Sequence, residues 1–395
     1  MADYRYLIIG GGMTADAACR GIRERDGEGS IGIIAAEPHP PYSRPPLTKA
    51  LWQGKAEASI WRGTESLGVD LHLGRSVVEL DRGARAVIDE RGARYGFERL
   101  LLATGGRPRE LRGEISDEVV YFRSLGDYRR LRGLADRGAR FVVIGGGFIG
   151  SELAAALVGS GCRVTMVFPE DAIGARLFPP DLAASLNALY RGHGVEVRPG
   201  ELVEGVASAG AGLTVSLAGG ASLAAEAVVA GLGIVPASEL AVQAGLRVSD
   251  GIHVDEFGAA DASGEIFAAG DVARFPAALL GTEIRVEHED HANSHGFAVG
   301  ANMAGAAEPY RHLPFFYSDL FELGYEAVGE VDPRHEMVAE WVEPLGKGAV
   351  AYLDRERRPR GFLLWNLFGK VAEATALIAA AEPLGGSALP ELIGR

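Results

Sequence analysis

The chain holds only two cysteines, Cys19 and Cys162, in 395 residues. Each follows a different glycine-rich loop far from the other, which excludes a Cys-x-x-Cys redox pair and a cysteine metal site. Both are expected to be packing residues. Positive charge is also short: 39 Lys and Arg stand against 53 Asp and Glu, for a formal net charge of −14. Nucleic acid needs clustered cations, so it is excluded as a partner, while a basic protein partner stays open. No apolar run reaches the ~20 residues that cross a bilayer. The start, MADYRYLIIGGG, enters a strand at once, without the basic leader and apolar stretch of a secretory signal. The expected setting is the cytoplasm. Glycine, by contrast, is abundant: its 55 residues sit at strand–turn junctions, without a fibrous period or low complexity. With 47% hydrophobic residues and domains of roughly 100–200 residues, the length suggests two or three of them.

Residues 6–18, YLIIGGGMTADAA, and residues 141–153, FVVIGGGFIGSEL, repeat one device. In each, an apolar strand runs into a glycine-rich turn and then a helix. The first glycine makes the tight turn, the second lets backbone approach a pyrophosphate, and the third small residue lets helix pack on strand. Gly10, Gly12 and Ala15 take these roles in the first copy, and Gly145, Gly147 and Gly150 in the second. One such loop is weak evidence; two in the same context imply two dinucleotides.

The first strand, at 6–9, leads to a helix over 13–25 and a second strand over 30–36 that ends at Glu37. A carboxylate there accepts hydrogen bonds from an adenosine ribose and repels a 2′-phosphate. A stiff loop, PHPPYSRPPLTKALW, follows and holds Arg44 and Lys49 in fixed positions. Strands are expected at 70–73, 75–80, 86–89 and 99–103, the last ending in ATGG, which includes Gly105. In the second copy the strand at 163–168 is followed by Glu170. That glutamate lies later than the usual acidic position, which Phe168 approximately occupies. No basic pair is there for a 2′-phosphate, so NAD is favoured over NADP. Residues 213–235 read as hairpin strands closing the second domain. EIFAAGDVA at 265–273 reads as a strand ending in Gly270 and Asp271, placed for a polyol or ribitol hydroxyl. A helix is expected over 290–303, then strands at 326–331, 337–342 and 362–367 and a helix at 370–381.

Several longer segments are more specific: PPYSRPPLTKALW at 40–52, GGGFIGSELAAAL at 145–157, VFPEDAIG at 167–174, VEHEDHANSHGFAVGANMAGAAEPY at 286–310 and FFYSDLFELGYEAVGEVD at 315–332. With these, nearly the whole chain resembles the flavin-dependent pyridine-nucleotide disulfide oxidoreductase superfamily, in its branch without a redox disulfide. Within that branch it is similar to apoptosis-inducing factor and its bacterial relatives. Ferredoxin and rubredoxin reductases share the RPPL and ATG segments but typically differ at VEHEDHA. The resemblance implies an α/β fold of two interleaved Rossmann-like domains, with FAD held by 1–112 and 236–308 and NADH by 113–235. Residues 309–395 would form an α+β C-terminal domain.

Residue by residue, the resemblance implies FAD on Gly10, Gly12, Glu37, Arg44, Lys49, Val78, Arg123, Asp271, Glu287 and His288. It implies NADH on Gly147, Phe148, Glu152, Glu170 and Gly231, with Ile149 in the same loop. Phe148 would lie by the nicotinamide, and Lys49 with Glu152 would form a buried ion pair beside the reactive edge of the flavin. Tyr317 stands where apoptosis-inducing factor has a tryptophan beside the flavin. The expected activity is NADH-dependent flavoprotein oxidoreduction, passing electrons to an external acceptor such as a ferredoxin or rubredoxin, a quinone or dioxygen. The alternative is a redox sensor in which a long-lived complex of reduced flavin and NAD controls homodimerisation. His288 and His291 sit in HEDH, which matches no zinc spacing, so no metal is expected. His288 is read as a partner of flavin or nicotinamide, or else as a solvated loop histidine.

Overall fold

The first strand, Ala2–Ile9, is almost wholly apolar after Arg5 and is covered on both faces, as a central parallel strand must be. Ile8 faces Ile33 of Ile31–Ala35 on one side and Leu101 of Arg94–Leu102 on the other, all three strands running parallel. Val69–Leu73 extends the sheet beyond Ile31–Ala35, while Ile266–Ala268 pairs in parallel with Arg94–Leu102. Val77–Asp81 and Ala86–Asp89 continue it as an antiparallel pair. The helix Met13–Arg25 packs on this sheet through Ala15, Ala18, Cys19 and Ile22. The computed structural model describes residues 2–210 and 212–395.

Contacts divide the chain into two compact units. The first comprises Met1–Arg44, Ala56–Arg107 and Val235–Pro314; the second comprises Pro45–Lys55, Pro108–Ile234 and Phe315–Arg395. The segment 45–55, which begins within the proline-rich loop, thus packs with the second unit. There the parallel order is Glu196–Pro199, Arg163–Phe168, Arg140–Ile144, Ala227–Ala230 and Val120–Tyr121. The C-terminal sheet is antiparallel, ordered Phe315–Leu320, Leu323–Gly329, Pro359–Trp365, Lys347–Leu353 and Glu336–Glu343. Cys19 and Cys162 are both buried and unpaired, and burial pushes the Cys19 thiol up to about 12. Among the described residues no helix is long and apolar enough to cross a membrane.

Two sequence expectations change, and one interior strand was missed. Residues 213–235 do not all close the domain as hairpins: Gly212–Leu217 and Ser222–Ala225 pair antiparallel, but Ala227–Ala230 enters the parallel sheet. Its four buried residues explain why: both faces are covered. The strand at 265–273 stops at Ala268, because Gly270 takes φ +72° and turns the chain into Gly270–Val272. Lys347–Leu353, a central strand rich in glycine and alanine, was not foreseen.

Asp16 anchors the first helix. Its buried carboxylate receives Arg20 Nε at 2.9 Å, Arg62 Nε at 2.7 Å and the Thr64 hydroxyl at 2.7 Å. Arg62 also donates to Asn293 Oδ1 at 2.8 Å, linking the helix Glu289–Met303. Burial alone would raise the Asp16 pKa, but these donors outweigh it and hold the carboxyl below its ordinary value. Asp16→Leu strands two guanidiniums and is expected to cost about 3 kcal/mol in chemical denaturation. Because the folded pKa is depressed, the Asp16 contribution is complete above the ordinary Asp value of about 3.9 and declines as pH falls through the lower folded value. The stability gap between wild type and the variant should narrow over that acidic interval.

Candidate functional site

The two glycine loops fold alike down to individual backbone bonds. Gly10 N–H donates to Ile34 O at 2.8 Å and Gly145 N–H to Val167 O at 2.9 Å; Ala103 N–H and Gly231 N–H bond Ile9 O and Ile144 O, each at 2.8 Å. Gly10 and Gly145 have φ of +114° and +116°, and a Cβ there would lie 2.1 Å from Ala103 O or 2.4 Å from Gly231 O. No other residue fits such a turn. At Gly12 and Gly147 a Cβ would meet nothing within 4 Å. Each of these two residues is the N-cap of its helix, Met13–Arg25 or Phe148–Gly159, without a side-chain cap bond. Open space before an uncapped helix N-terminus suits a pyrophosphate. A Cβ at Gly150 would lie 2.0 Å from Gly145 O, whereas the first loop accommodates the buried Ala15. Ile149 Cβ would lie 3.2 Å from a Cβ on Gly231, so these residues set the floor of the second loop.

The duplicated bonds correct the placement of Glu170. Gly74 N–H donates to Glu37 O and Gly200 N–H to Glu170 O; Arg75 N–H donates to Ala35 O and Glu201 N–H to Phe168 O. Phe168 is therefore the counterpart of Ala35, and Glu170 is the counterpart of Glu37. It does not lie late. Each acid stands two residues past the end of its strand. Glu37 accepts Arg44 Nη2 at 2.6 Å and the Tyr42 hydroxyl at 2.6 Å. Burial raises its pKa, but these partners hold it below the ordinary carboxylate value. Glu170 pairs with Arg176, a partner the sequence did not suggest.

Of the remaining expected FAD residues, the first unit holds Val78, Gly105, Gly270, Asp271, Glu287 and His288, while Lys49, Arg123 and Tyr317 lie in the second. Val78 is half exposed on the strand Val77–Asp81. Gly105 O accepts the Ala237 N–H at 2.9 Å. Glu287 pairs with Arg285 at 2.7 Å. His288 is the N-cap of Glu289–Met303, and desolvation lowers its pKa to about 4. It is neutral at pH 7, a hydrogen-bonding group rather than a cation. Arg123 N–H donates to Asp127 Oδ2 at 3.0 Å, just ahead of a helix capped by Ser124.

In the second unit, Lys49 Nζ lies 3.0 Å from Glu152 Oε1, with side chains only 14% and 9% exposed. The same carboxylate accepts the Thr48 hydroxyl at 2.6 Å and the Ser318 hydroxyl at 2.6 Å. Lys49 also lies 3.6 Å from Asp319 Oδ2 and 4.5 Å from the ring centre of the 40%-exposed Tyr317. Phe148, the first residue of its helix, meets Phe316 edge to face at 5.3 Å. Sequence reasoning missed Thr48, Ser318 and Asp319. Ser318 had a signal: in the strand FFYSDL it shares the inward face with Phe316 and Leu320, where a lone hydroxyl needs a partner.

Gly12→Ala and Gly147→Ala test the loops. The space around each is open, so melting temperatures should stay near wild type, within a few degrees. Occupying the phosphate space should weaken one dinucleotide by about tenfold or more. Calorimetric titration should show the FAD side affected in the first variant and the NAD(H) side in the second.

The pyridine nucleotide-disulphide oxidoreductase model matches residues 4–296, and the C-terminal model of mitochondrion-associated apoptosis-inducing factor matches 299–345. The chain is 31% identical to apoptosis-inducing factor 1, mitochondrial, of Dictyostelium discoideum, over 95% of this chain and 78% of that protein. It is 33% identical to the ferredoxin–NAD(+) reductase component of the anthranilate 1,2-dioxygenase system of Burkholderia cepacia, over 95% and 94%. A chain in the crystal structure of the covalent putidaredoxin reductase–putidaredoxin complex matches with a TM-score of 0.90 and 29% identity, covering 100% of this chain and 96% of that one. Two dinucleotide loops in one register, and matches along nearly the full length, lead to one conclusion: the chain belongs to the pyridine nucleotide-disulphide oxidoreductase family, as a FAD- and NAD(H)-binding flavoprotein oxidoreductase of the apoptosis-inducing factor and ferredoxin reductase type.

Proposed function

We propose that this protein takes hydride from NADH and delivers electrons to an external iron–sulfur protein of the ferredoxin type. The observation that carries the reading is that the chain has no cysteine pair to act as a relay: Cys19 and Cys162 are buried and unpaired, and they lie in different compact units. Electrons must therefore leave the chain for another molecule. The likeness to ferredoxin reductases over the full length supports an iron–sulfur acceptor. Unpaired cysteines accord with a reducing cytoplasm.

FAD, when bound, supplies hydride acceptance and release of electrons singly or in pairs. The side chains supply placement and charge. Gly10, Gly12 and Glu37 would hold its adenosine diphosphate portion, with Asp271 for the ribitol. Lys49, held by Glu152, would place a positive charge beside the reactive edge of the ring. His288, being neutral, would orient by hydrogen bonding. Gly147 and Glu170 would hold NADH, the glutamate accepting the ribose hydroxyls and opposing a 2′-phosphate.

With Arg176 beside it, Glu170 is the element that sets cofactor choice. Glu170→Gln frees that guanidinium, and the NADH-over-NADPH ratio of kcat/KM should fall about tenfold. An unchanged ratio would remove Glu170 from this role.

The match to the apoptosis-inducing factor C-terminal model supports a second reading, a redox-responsive dimer. Anaerobic stopped-flow mixing with NADH, then with oxidised ferredoxin or air, separates the two. The reductase reading predicts ferredoxin reduction far faster than by free flavin, with no change in sedimentation. A long-wavelength band that persists in air, together with a doubled mass, would favour the sensor.

A further inference from the structure

The helix Glu289–Met303 is pressed against Met13–Arg25 through its glycines: a Cβ on Gly296 would lie 2.6 Å from Thr14 O, and one on Gly300 2.1 Å from Ala18 O. The close contact leaves the helix little freedom to shift. Its histidines meet the turn Gly270–Val272 and the strand Ala273–Ala277. His291 and His295 are 0% and 1% exposed. Their rings stack at 4.7 Å, with Phe275 stacked on His291 at 4.6 Å and Tyr310 lying 4.6 Å from His295. His291 Nδ1 lies 3.3 Å from the Tyr310 hydroxyl, which lies 2.8 Å from Ser294 Oγ. The Gly270 N–H donates to His295 Nδ1 at 3.4 Å.

That bond dictates a protonation state. An imidazole nitrogen that accepts a hydrogen bond carries no proton, so this bond calls for a neutral His295 with its proton on Nε2. Burial among rings agrees, since it disfavours the charged form of both histidines. The residue held is itself constrained: Gly270 has φ +72°, and a Cβ there would lie 2.2 Å from Thr14 Oγ1. Its peptide is fixed from one side by the first helix and from the other by His295.

We propose that His295, steadied by the stacked His291, is a positioning residue for FAD: as the Nε2–H tautomer it accepts the Gly270 N–H and fixes the left-handed turn that presents Asp271. The inference rests on reading Gly270 and Asp271 as part of the FAD site. His295→Asn keeps an acceptor near the Nδ1 position, and His295→Leu removes it.

FAD released on dilution of the holoprotein, read by flavin fluorescence, measures retention. The dissociation constant should rise about tenfold or more in His295→Leu and stay near wild type in His295→Asn. Asp271→Ala tests the underlying reading: unchanged FAD retention there overturns the site assignment, and the inference with it. Weakened retention in Asp271→Ala with wild-type retention in His295→Leu overturns the positioning role alone. The tautomer itself is read in the wild-type holoprotein from long-range proton–nitrogen spectra of ¹⁵N-histidine, so the test survives a variant that fails to fold. An Nε2–H resonance, assigned to His295 by correlating its ring with its own backbone amide, supports the role, and an Nδ1–H tautomer contradicts it.

Discussion

One buried carboxylate organises the second unit. Glu152 is removed from water on the helix Phe148–Gly159, and such a charge is tolerable only if cation and hydroxyl donors meet it in the interior. Lys49, Thr48 and Ser318 do so at 3.0, 2.6 and 2.6 Å. These residues come from three separated stretches: the segment 45–55, the helix after the second glycine loop, and the strand Phe315–Leu320. Their convergence accounts for a short segment that begins within the proline-rich loop packing with the second unit while the chain on either side of it belongs to the first. The strand also carries Tyr317 and Asp319 to Lys49. Met by two carboxylates and one aromatic ring, the Lys49 ammonium is held in a fixed place.

The two dinucleotide modules are one design executed with different packing. Backbone bonds match residue for residue from Gly10 and Gly145 to Glu37 and Glu170. Side-chain volumes differ: Ala15 corresponds to Gly150, Ala35 to Phe168 and Ala103 to Gly231. The aromatic ring of Phe168 is met by Gly146, where a Cβ would lie 2.9 Å from the ring, just as Gly11 meets Ala35 in the first module. The conserved geometry is that of the backbone turn. Its acids have different companions, Arg44 and Tyr42 for Glu37 but Arg176 for Glu170.

Much of this was legible in the residues. The helix Met13–Arg25 and the strand Arg163–Phe168 have the limits their apolar pattern indicates, because a glycine loop opens the one and Gly161 and Pro169 flank the other. Lys49 was legible from its place in the stiff loop and from the family resemblance. Other features were hidden for physical reasons. Glu170 looked displaced because the end of its strand served as the ruler, although Glu37 also lies two residues beyond its own strand. Lys347–Leu353 was obscured because glycine and alanine are weak strand formers, and only burial between neighbours makes them one. Thr48 gains meaning only when distant segments meet, and the inward alternation at Ser318 shows that its hydroxyl needs a partner but not which one.

We propose that Lys49 and Glu152 act as one unit beside the flavin that accepts hydride, and a double-mutant cycle measures this directly. Flavin reduction by NADH in a single turnover would be timed for the wild type, Lys49→Met, Glu152→Gln and the double variant, all with FAD bound. Coupled groups are non-additive: each single change should slow reduction by about a hundredfold, and the double variant should be scarcely slower than the worse single one. Additive losses, or wild-type rates in either single variant, would contradict it.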